Sequence, residues 1–451
     1  LFGGGIRMSG SNLVVANCVV ENNAADTIGG GIYAFSDSTL HVADSIIQDN
    51  STTSAGQNCG GGGISIGSNS SAFIMASVFL RNYTECSGGA LEIFSFNNSS
   101  AEIVSCRFEE NFSGGLGHAI TGEVSILSCT FELNGIESDT NERVLNGGGS
   151  GSQIHDSIIR YNYGVGVYGF HGGVSGCEIT DNQGDGVNLC SLVSNSEISR
   201  NDRGIANSSM ISDCVVQDNE QVGIHASGEI LRCLVSGNGN GGISTTGASL
   251  IENCLIFRND AIEGGGVSLD ADGSTIRYCT VVNNQADQTG GGIVIRKMDP
   301  GGDNIPSIIH SCIVTSNQLF SSETSNIERS TIFPGAAAAP EVIYSLVGGG
   351  FEGEGNIDAD PMFVDPEGDD YRLLYGSPCI DSASTEGPGS DLDGRIRPID
   401  ITGIGREGPG AFDMGAFEFD YSRADLNEDG KVDELDLMIF QQDWYRQIEI
   451  Q

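Results

Sequence analysis

The sequence predicts an all-β chain folded as a right-handed parallel β-helix. This is a solenoid of about 13–14 rungs, followed by a short helical segment at the C-terminus. Three observations predict it. The pattern [Ile/Val]-x-x-[Cys/Ser]-x-[Ile/Val/Phe]-x-x-Asn recurs along the first three quarters of the chain. Glycine doublets and triplets precede an aliphatic residue between successive copies, as at Gly29-Gly30-Gly31-Ile32 and Gly290-Gly291-Gly292-Ile293. Glycine supplies 66 of 451 residues, while the hydrophobic fraction is 38% and the aromatic fraction 7%.

Anchored on its Cys/Ser position, the pattern falls at Cys18, Ser45, Ser77, Cys106, Cys129, Ser157, Cys177, Ser196, Cys214, Cys233, Cys254, Cys279 and Cys312. Asn stands five residues after all thirteen anchors, from Asn23 to Asn317. An aliphatic residue stands three before each anchor (Val15, Val42, Ile74 and onward), and an aliphatic or Phe two after it. β-Branched residues bounded by Gly and Asn read as very short strands. Gly and Asn tolerate left-handed backbone and so read as bends. A unit this small cannot bury its own apolar side, so it must stack on its neighbours. Equivalent positions then form ladders with a rise of about 4.8 Å per rung.

Two rival solenoids fit less well. A leucine-rich repeat needs a Leu-rich motif and a convex segment. This chain uses Ile, Val and Phe, without helical periodicity. A hexapeptide helix needs a strict period, whereas the anchors here are 18 to 33 residues apart.

Composition excludes other classes. Acids number 61 and bases 20, a net charge of −41, so nothing neutralises the phosphates of a nucleic acid. No run of about 18 apolar residues suggests a transmembrane helix. The glycine lacks the collagen period. The chain begins at Leu1 within a repeat, which creates the expectation of further rungs upstream.

Nine of the 13 Cys occupy the anchor position, where Ser replaces them in the other copies. That exchange predicts a ladder of small, buried, reduced side chains, since parallel stacked thiols have poor torsional geometry for bonding. Cys59 and Cys86 differ. Each lies five residues before the aliphatic of its glycine strand, Ile64 and Leu91, on adjacent rungs. They are expected to stack in outer loops and form a disulfide. Cys190 and Cys379 have no evident partner.

After Asn317 the repeat loosens, with Tyr344-Ser345-Leu346-Val347 reading as one more rung. Residues 352–443 then hold 24 acids and 6 bases. Pro361, Pro366 and Pro378 suit a rung that closes the stack, because Pro cannot donate to a further strand. Asp391-Leu392-Asp393-Gly394 reads as a solvated acidic turn, with a Ca2+ site as the alternative. The chain divides into repeats at 1–350, an acidic cap at 351–420 and a terminal loop with a helix at 421–451. In that loop, oxygen ligands fall at positions 1, 3, 5, 9 and 12: Asp425, Asn427, Asp429, Asp433 and Asp436. Gly430 sits at position 6, and the Lys431 carbonyl at position 7. This is the spacing of a Ca2+ loop. Leu435, Leu437, Met438, Ile439 and Phe440 fit a helix after it.

These residues carry resemblances. The glycine strand followed by Phe-x-x-Asn (Phe79 to Asn82, Phe108 to Asn111, Phe131 to Asn134) resembles the repeats of secreted bacterial right-handed β-helix proteins. Polymorphic outer-membrane-type adhesins use similar units, as do β-helix polysaccharide lyases and hydrolases. Residues 356–419 resemble the C-terminal cap of many such proteins. The 425–436 loop, with Asp436 where sensor loops carry Glu, resembles a dockerin repeat, here single rather than paired. The resemblance implies a secreted or cell-surface protein that binds Ca2+, with a cohesin-like partner as one possible ligand.

A lyase acting on polyuronates needs cations for the carboxylates and a nearby base; a glycosidase needs paired carboxylates. The outward positions after the glycine strands read Tyr33, Ser65, Glu92, Tyr168, Asn188, Ala206, His225, Ser244, Ser268 and Val294. They offer no stacked carboxylate pair and no Arg/Lys cluster, so no catalytic residue is assigned. Gly184-Asp185-Gly186 reads as a turn, while Ile295-Arg296-Lys297 and Phe170-His171-Gly172-Gly173 bear a faint likeness to hydrolase motifs. Tyr33, Phe35, Phe94, Tyr168 and Phe170 either fill surface grooves or the interior, or stack on sugars from one exposed sheet. The leading expectation is a non-catalytic binder of glycans or partner proteins; the alternative is a polysaccharide lyase or glycoside hydrolase.

Overall fold

The computed structural model describes residues 3–54, 59–94, 98–136, 142–226, 228–270, 273–296, 305–321, 323–330, 338–420 and 437–438. Each circuit of the chain contributes one short strand to each of three parallel sheets, and among the described residues each of these sheets holds fourteen strands. The first sheet runs from Ile6–Ser9 to Ile327–Ser330. The second runs from Asn12–Ala16 to Glu341–Ile343, and the third from Val19–Glu21 to Leu346–Val347.

The register aligns the repeat with itself. Val42, Ile74, Ile103 and Ile126 are partners on the second sheet, and Ile47, Phe79, Phe108 and Phe131 on the third. All are buried in one continuous core. The three Phe rings stack at 4.6 and 4.7 Å between centroids. Burying each such side chain contributes about 1.5–3 kcal/mol, and here every rung repeats the contact.

The bends work differently from the sequence expectation. The left-handed residue is the one before the Cys/Ser anchor (Asp44, Ala76, Ser105) and the one before the ladder Asn (Asp49, Arg81, Glu110), with φ between +46° and +54°. The ladder Asn residues have ordinary φ and are needed for their amides. The backbone N–H of Asn82 donates to Oδ1 of Asn111 (3.0 Å), as does its Nδ2 (3.0 Å), and Nδ2 also donates to the carbonyl of Ile47 on the preceding rung (2.8 Å). The pattern continues to Asn284 and Asn317. Left-handed backbone costs an L-residue about 1–2 kcal/mol, and a fully bonded buried amide offsets it. The anchors form a parallel ladder. The N–H of Ser45 donates to Oγ of Ser77 (3.1 Å), and that of Cys254 to Sγ of Cys279 (3.4 Å). The anchor cysteines are buried except Cys18, on the first rung.

The acidic tail does not simply close the stack. Ile357 bridges Leu346 to extend it by one contact. The chain then runs back along the outside of the third sheet as far as the rungs carrying Asn253 and Thr280. Asn253 Nδ2 donates to the Ser390 carbonyl (2.6 Å), and the Ala416 N–H donates to Oγ1 of Thr280 (3.1 Å). Apolar residues facing outward on these rungs, Leu255, Phe257, Val282 and Ile313, are covered by Tyr371, Leu373, Met414 and Phe417. The tail is therefore a lateral clasp, and the outward apolar positions are the physical reason for it. Asp391, expected in a solvated turn, is fully buried and accepts the N–H groups of Arg395 and Glu418. The terminal loop from Asp425 to Asp436 lies outside the described residues. Leu437 and Met438 have helical backbone and are exposed.

Candidate glycan-facing groove

The outward position of the first sheet forms one row. Tyr168, Asn188, Ala206, His225, Ser244 and Ser268 occupy the same register on successive strands. The row begins at Arg7 and Tyr33 and ends at Val294 and Glu328. Strand geometry places these side chains on one face, one per rung.

At the N-terminal end, the rings of Tyr33 and Phe35 stack 4.7 Å apart, 11° from parallel. Phe94 closes on the same place: a methyl built on Gly67 would lie 3.3 Å from Phe94 and 3.8 Å from Tyr33. All three rings are half-buried, and burial raises the Tyr33 hydroxyl above its usual range, against the opposing pull of Arg7. Tyr168 lies farther along the row with the Arg143 guanidinium 3.4 Å over its ring. Phe170 is not part of this face. Gly169 is left-handed (φ +72°), which breaks the alternation of the strand and turns Phe170 into the core, where it is fully buried. The four other rings thus form two groups, not one platform.

Ser65 and Glu92 in the row are covered. Ser65 Oγ donates to the Gly60 carbonyl (2.8 Å). Next to Gly60, Cys59 is paired with Cys86 at a Cα separation of 5.8 Å, within the range a disulfide requires. Burial holds the Glu92 carboxyl well above the usual carboxylate range.

The central rungs carry the charged groups. Asp185 is nearly buried and receives Nε and Nη2 of Arg203 (2.7 and 2.9 Å) and Nδ2 of Asn188 (2.7 Å). On the other side of His225, Arg296 donates Nε and Nη2 to Asp270 (2.6 and 2.9 Å) and Nη1 to Glu263 (3.3 Å). Ser268 Oγ donates to Asp270 (2.9 Å). His225 lies between the two clusters. Burial, aided by Arg203, lowers its proton affinity, while Asp270 and Asp185 oppose the shift. It is a neutral imidazole, both donor and acceptor, at neutral pH. Val222, His225, Ser244, Ser268, Glu263 and Arg296 line a groove of ≈ 400 Å³. A smaller one of ≈ 150 Å³ continues over Tyr168, Asn188, Asp185 and Arg203.

The sequence reading of the outward row held these positions but missed the charged clusters. Asp185 and Arg203 enter from the turns before the glycine strands, Glu263 from the end of the short strand Asp260–Glu263, Asp270 from just after the strand Val267–Leu269, and Arg296 from the last position of the strand Ile293–Arg296. Each of them lies within four residues of a glycine strand, so the strands carry this signal only together with their flanks. Among the described residues no group of three or more His, Cys, Asp or Glu is arranged to hold a metal ion. The proposed Ca2+ ligands Asp425, Asn427, Asp429, Lys431, Asp433 and Asp436 fall outside the described residues.

With the three parallel sheets, one comparison gives the fold its hand. Residues 205–332 match the family model described as a right handed beta helix region. The chain is a right-handed parallel β-helix repeat protein. A stretch of 170 residues, 37% of the chain, is 29% identical to Metabotropic glutamate receptor-like protein R of Dictyostelium discoideum. The chain spans 10% of that protein's length. Among the described residues, no helix is long and apolar enough to cross a membrane.

Proposed function

We propose that this protein is a secreted or cell-surface glycan-binding solenoid, with the glycan lying along the outer face of the first sheet. The observation that carries the reading is the central groove, where fixed planar polar groups border a row of small side chains. Sugars are bound by such convergent donors and acceptors, with rings supplying apolar contact. Tyr33, Phe35 and Phe94 offer that contact at one end and Tyr168 in the middle. The Cys59–Cys86 pairing supports an oxidising, extracellular setting. Ca2+ in the 425–436 loop, coordinated by five side chains and the Lys431 carbonyl, would order the C-terminus, where a cohesin-like protein partner is a further candidate.

A second reading rests on His225. A neutral imidazole flanked by carboxylates is equipped for proton transfer, as a polysaccharide lyase or glycoside hydrolase requires. One experiment separates the two. The protein is incubated with a polysaccharide panel and Ca2+, and retention, unsaturated uronate absorbance and new reducing ends are measured. Retention without products supports the binder. Products above a heat-denatured control overturn it, and neither retention nor products overturns both.

A further inference from the structure

The groove around His225 also carries information about the charge of its ligand. We infer that it is a subsite for a neutral, hydroxyl-rich glycan, and that it selects against polyuronates. The inference rests on the reading that the first sheet binds glycans, and it names the class.

The argument starts from charge. The groove and its continuation are lined by Asp185, Asp202 and Glu263 against Arg143, Arg203 and Arg296, and Asp270 adds a fourth acid through its pair with Arg296. His225 is uncharged at neutral pH. The local balance is therefore −1 within a chain of −41, a field that repels an anionic polymer.

Pairing strengthens the case. To grip a uronate carboxylate with the paired guanidinium nitrogens, Arg203 or Arg296 would have to release Asp185 or Asp270. Both ion pairs use two guanidinium nitrogens on two carboxylate oxygens. Asp185 is only 3% exposed, and stranding a buried carboxylate without its partner is strongly unfavourable. Exchanging one carboxylate for another thus gains nothing and leaves a charge behind.

A hydroxyl asks for no such exchange. It can donate to the remaining lone pairs of Asp270 and Glu263, and it can accept from Arg203 Nη1, which the pair with Asp185 does not use. His225 and Ser244 act as either donor or acceptor. Because the ion pairs hold these planar groups still, little freedom is lost on binding. Ala206, Ser244 and Ser268 are small, so the depth over three of the rungs is left to the ligand.

The test is quantitative affinity electrophoresis of the whole chain in gels of soluble β-glucan, galactomannan or arabinoxylan, and of polygalacturonate or alginate, each with and without Ca2+. The wild type is compared with Ser244→Trp, which fills the groove from an outward position, with His225→Ala, and with Tyr33→Ala. Circular dichroism checks that each variant keeps its sheet signal; Ser244→Thr, which keeps the hydroxyl, serves as a second probe. At least one neutral polysaccharide is expected to retard the wild type, with Ser244→Trp and His225→Ala weakening this at least tenfold and Ser244→Thr changing it little. Retardation by a polyuronate as strong as by the best neutral polysaccharide overturns the inference. So does neutral binding that survives Ser244→Trp but is lost in Tyr33→Ala, which would place the glycan on the sheet away from the groove. Absence of retardation in every gel overturns the glycan reading itself.

Discussion

Asn111 shows what one residue does in this fold. Its N–H and Nδ2 both donate to Oδ1 of Asn134 (3.0 and 3.1 Å), its Nδ2 reaches the Phe79 carbonyl (3.0 Å), and its own Oδ1 receives the N–H and Nδ2 of Asn82. Replacement by Ala strands buried groups on two neighbouring rungs, each worth about 1–3 kcal/mol. Asn111→Ala should therefore lower the urea midpoint clearly, while Asn12→Ala, exposed at the start of a strand with ordinary φ, should not. Equal midpoints would remove the ladder from the account of stability. Asp381 makes the second prediction at this scale. Burial, with Asp400, Glu418 and Glu407 adding to it against the Ile401 N–H, raises its carboxyl to about 6. A raised acid binds its proton more tightly in the folded state, so its contribution is present at low pH and lost as pH rises through about 6. Melting temperature should fall over that window in the wild type and fall less in Asp381→Asn. An identical profile in the variant would exclude this residue as the source.

Among the elements, the clasp depends on Arg397. Its Nε meets Glu418 (2.7 Å), Nη1 meets Oδ1 of Asn253 (2.9 Å), and Nη2 meets the carbonyls of Asp413 and Gly415; the ring of Tyr278 lies 4.9 Å away. Arg397 and Glu418 are both buried. Removing one partner of a buried pair costs about 3–5 kcal/mol, so Arg397→Met should expose residues 358–419 to limited proteolysis while the rungs stay resistant. Cleavage no faster than in the wild type would show that the clasp is held by its apolar contacts alone. The loop pair is tested by alkylation under denaturing, non-reducing conditions. Eleven of 13 cysteines should react, and Cys59 and Cys86 should not; thirteen reacted thiols would end the disulfide. The rungs were legible because Asn23 to Asn317 repeat without exception. The clasp was less legible, because its evidence is distributed. Outward positions of the third sheet change from Glu178 and Glu197 to Leu255 and Ile313, which only matters once something is known to lie against them. The groove was hidden for a similar reason, since Asp185 and Arg203 lie 18 residues apart and meet only when rungs stack. Phe170 was misplaced because one left-handed glycine defeats a count by twos.

At the scale of the molecule, stability is close to a sum over neighbouring rungs, and the clasp is the exception that joins distant stretches of chain. The proposed Ca2+ site is tested at this scale as well. Titration should show one site that is lost in Asp425→Ala, with chelation leaving the sheet signal of the solenoid unchanged; sheet loss on chelation would mean that the ion supports the stack. The clasp finishes beside Asn253 and Thr280, with Phe417 packed near Leu255 and Phe257. Those rungs lie inside the stack, short of its last strand at Leu346–Val347. Whatever is attached beyond residue 420 is therefore tethered to the flank. A pull on that tether arrives crosswise, through Arg397 and Phe417, and does not peel the final rung from its neighbour. A protein held this way would lie along its support like a beam on a side bracket, with the first sheet left open to its surroundings.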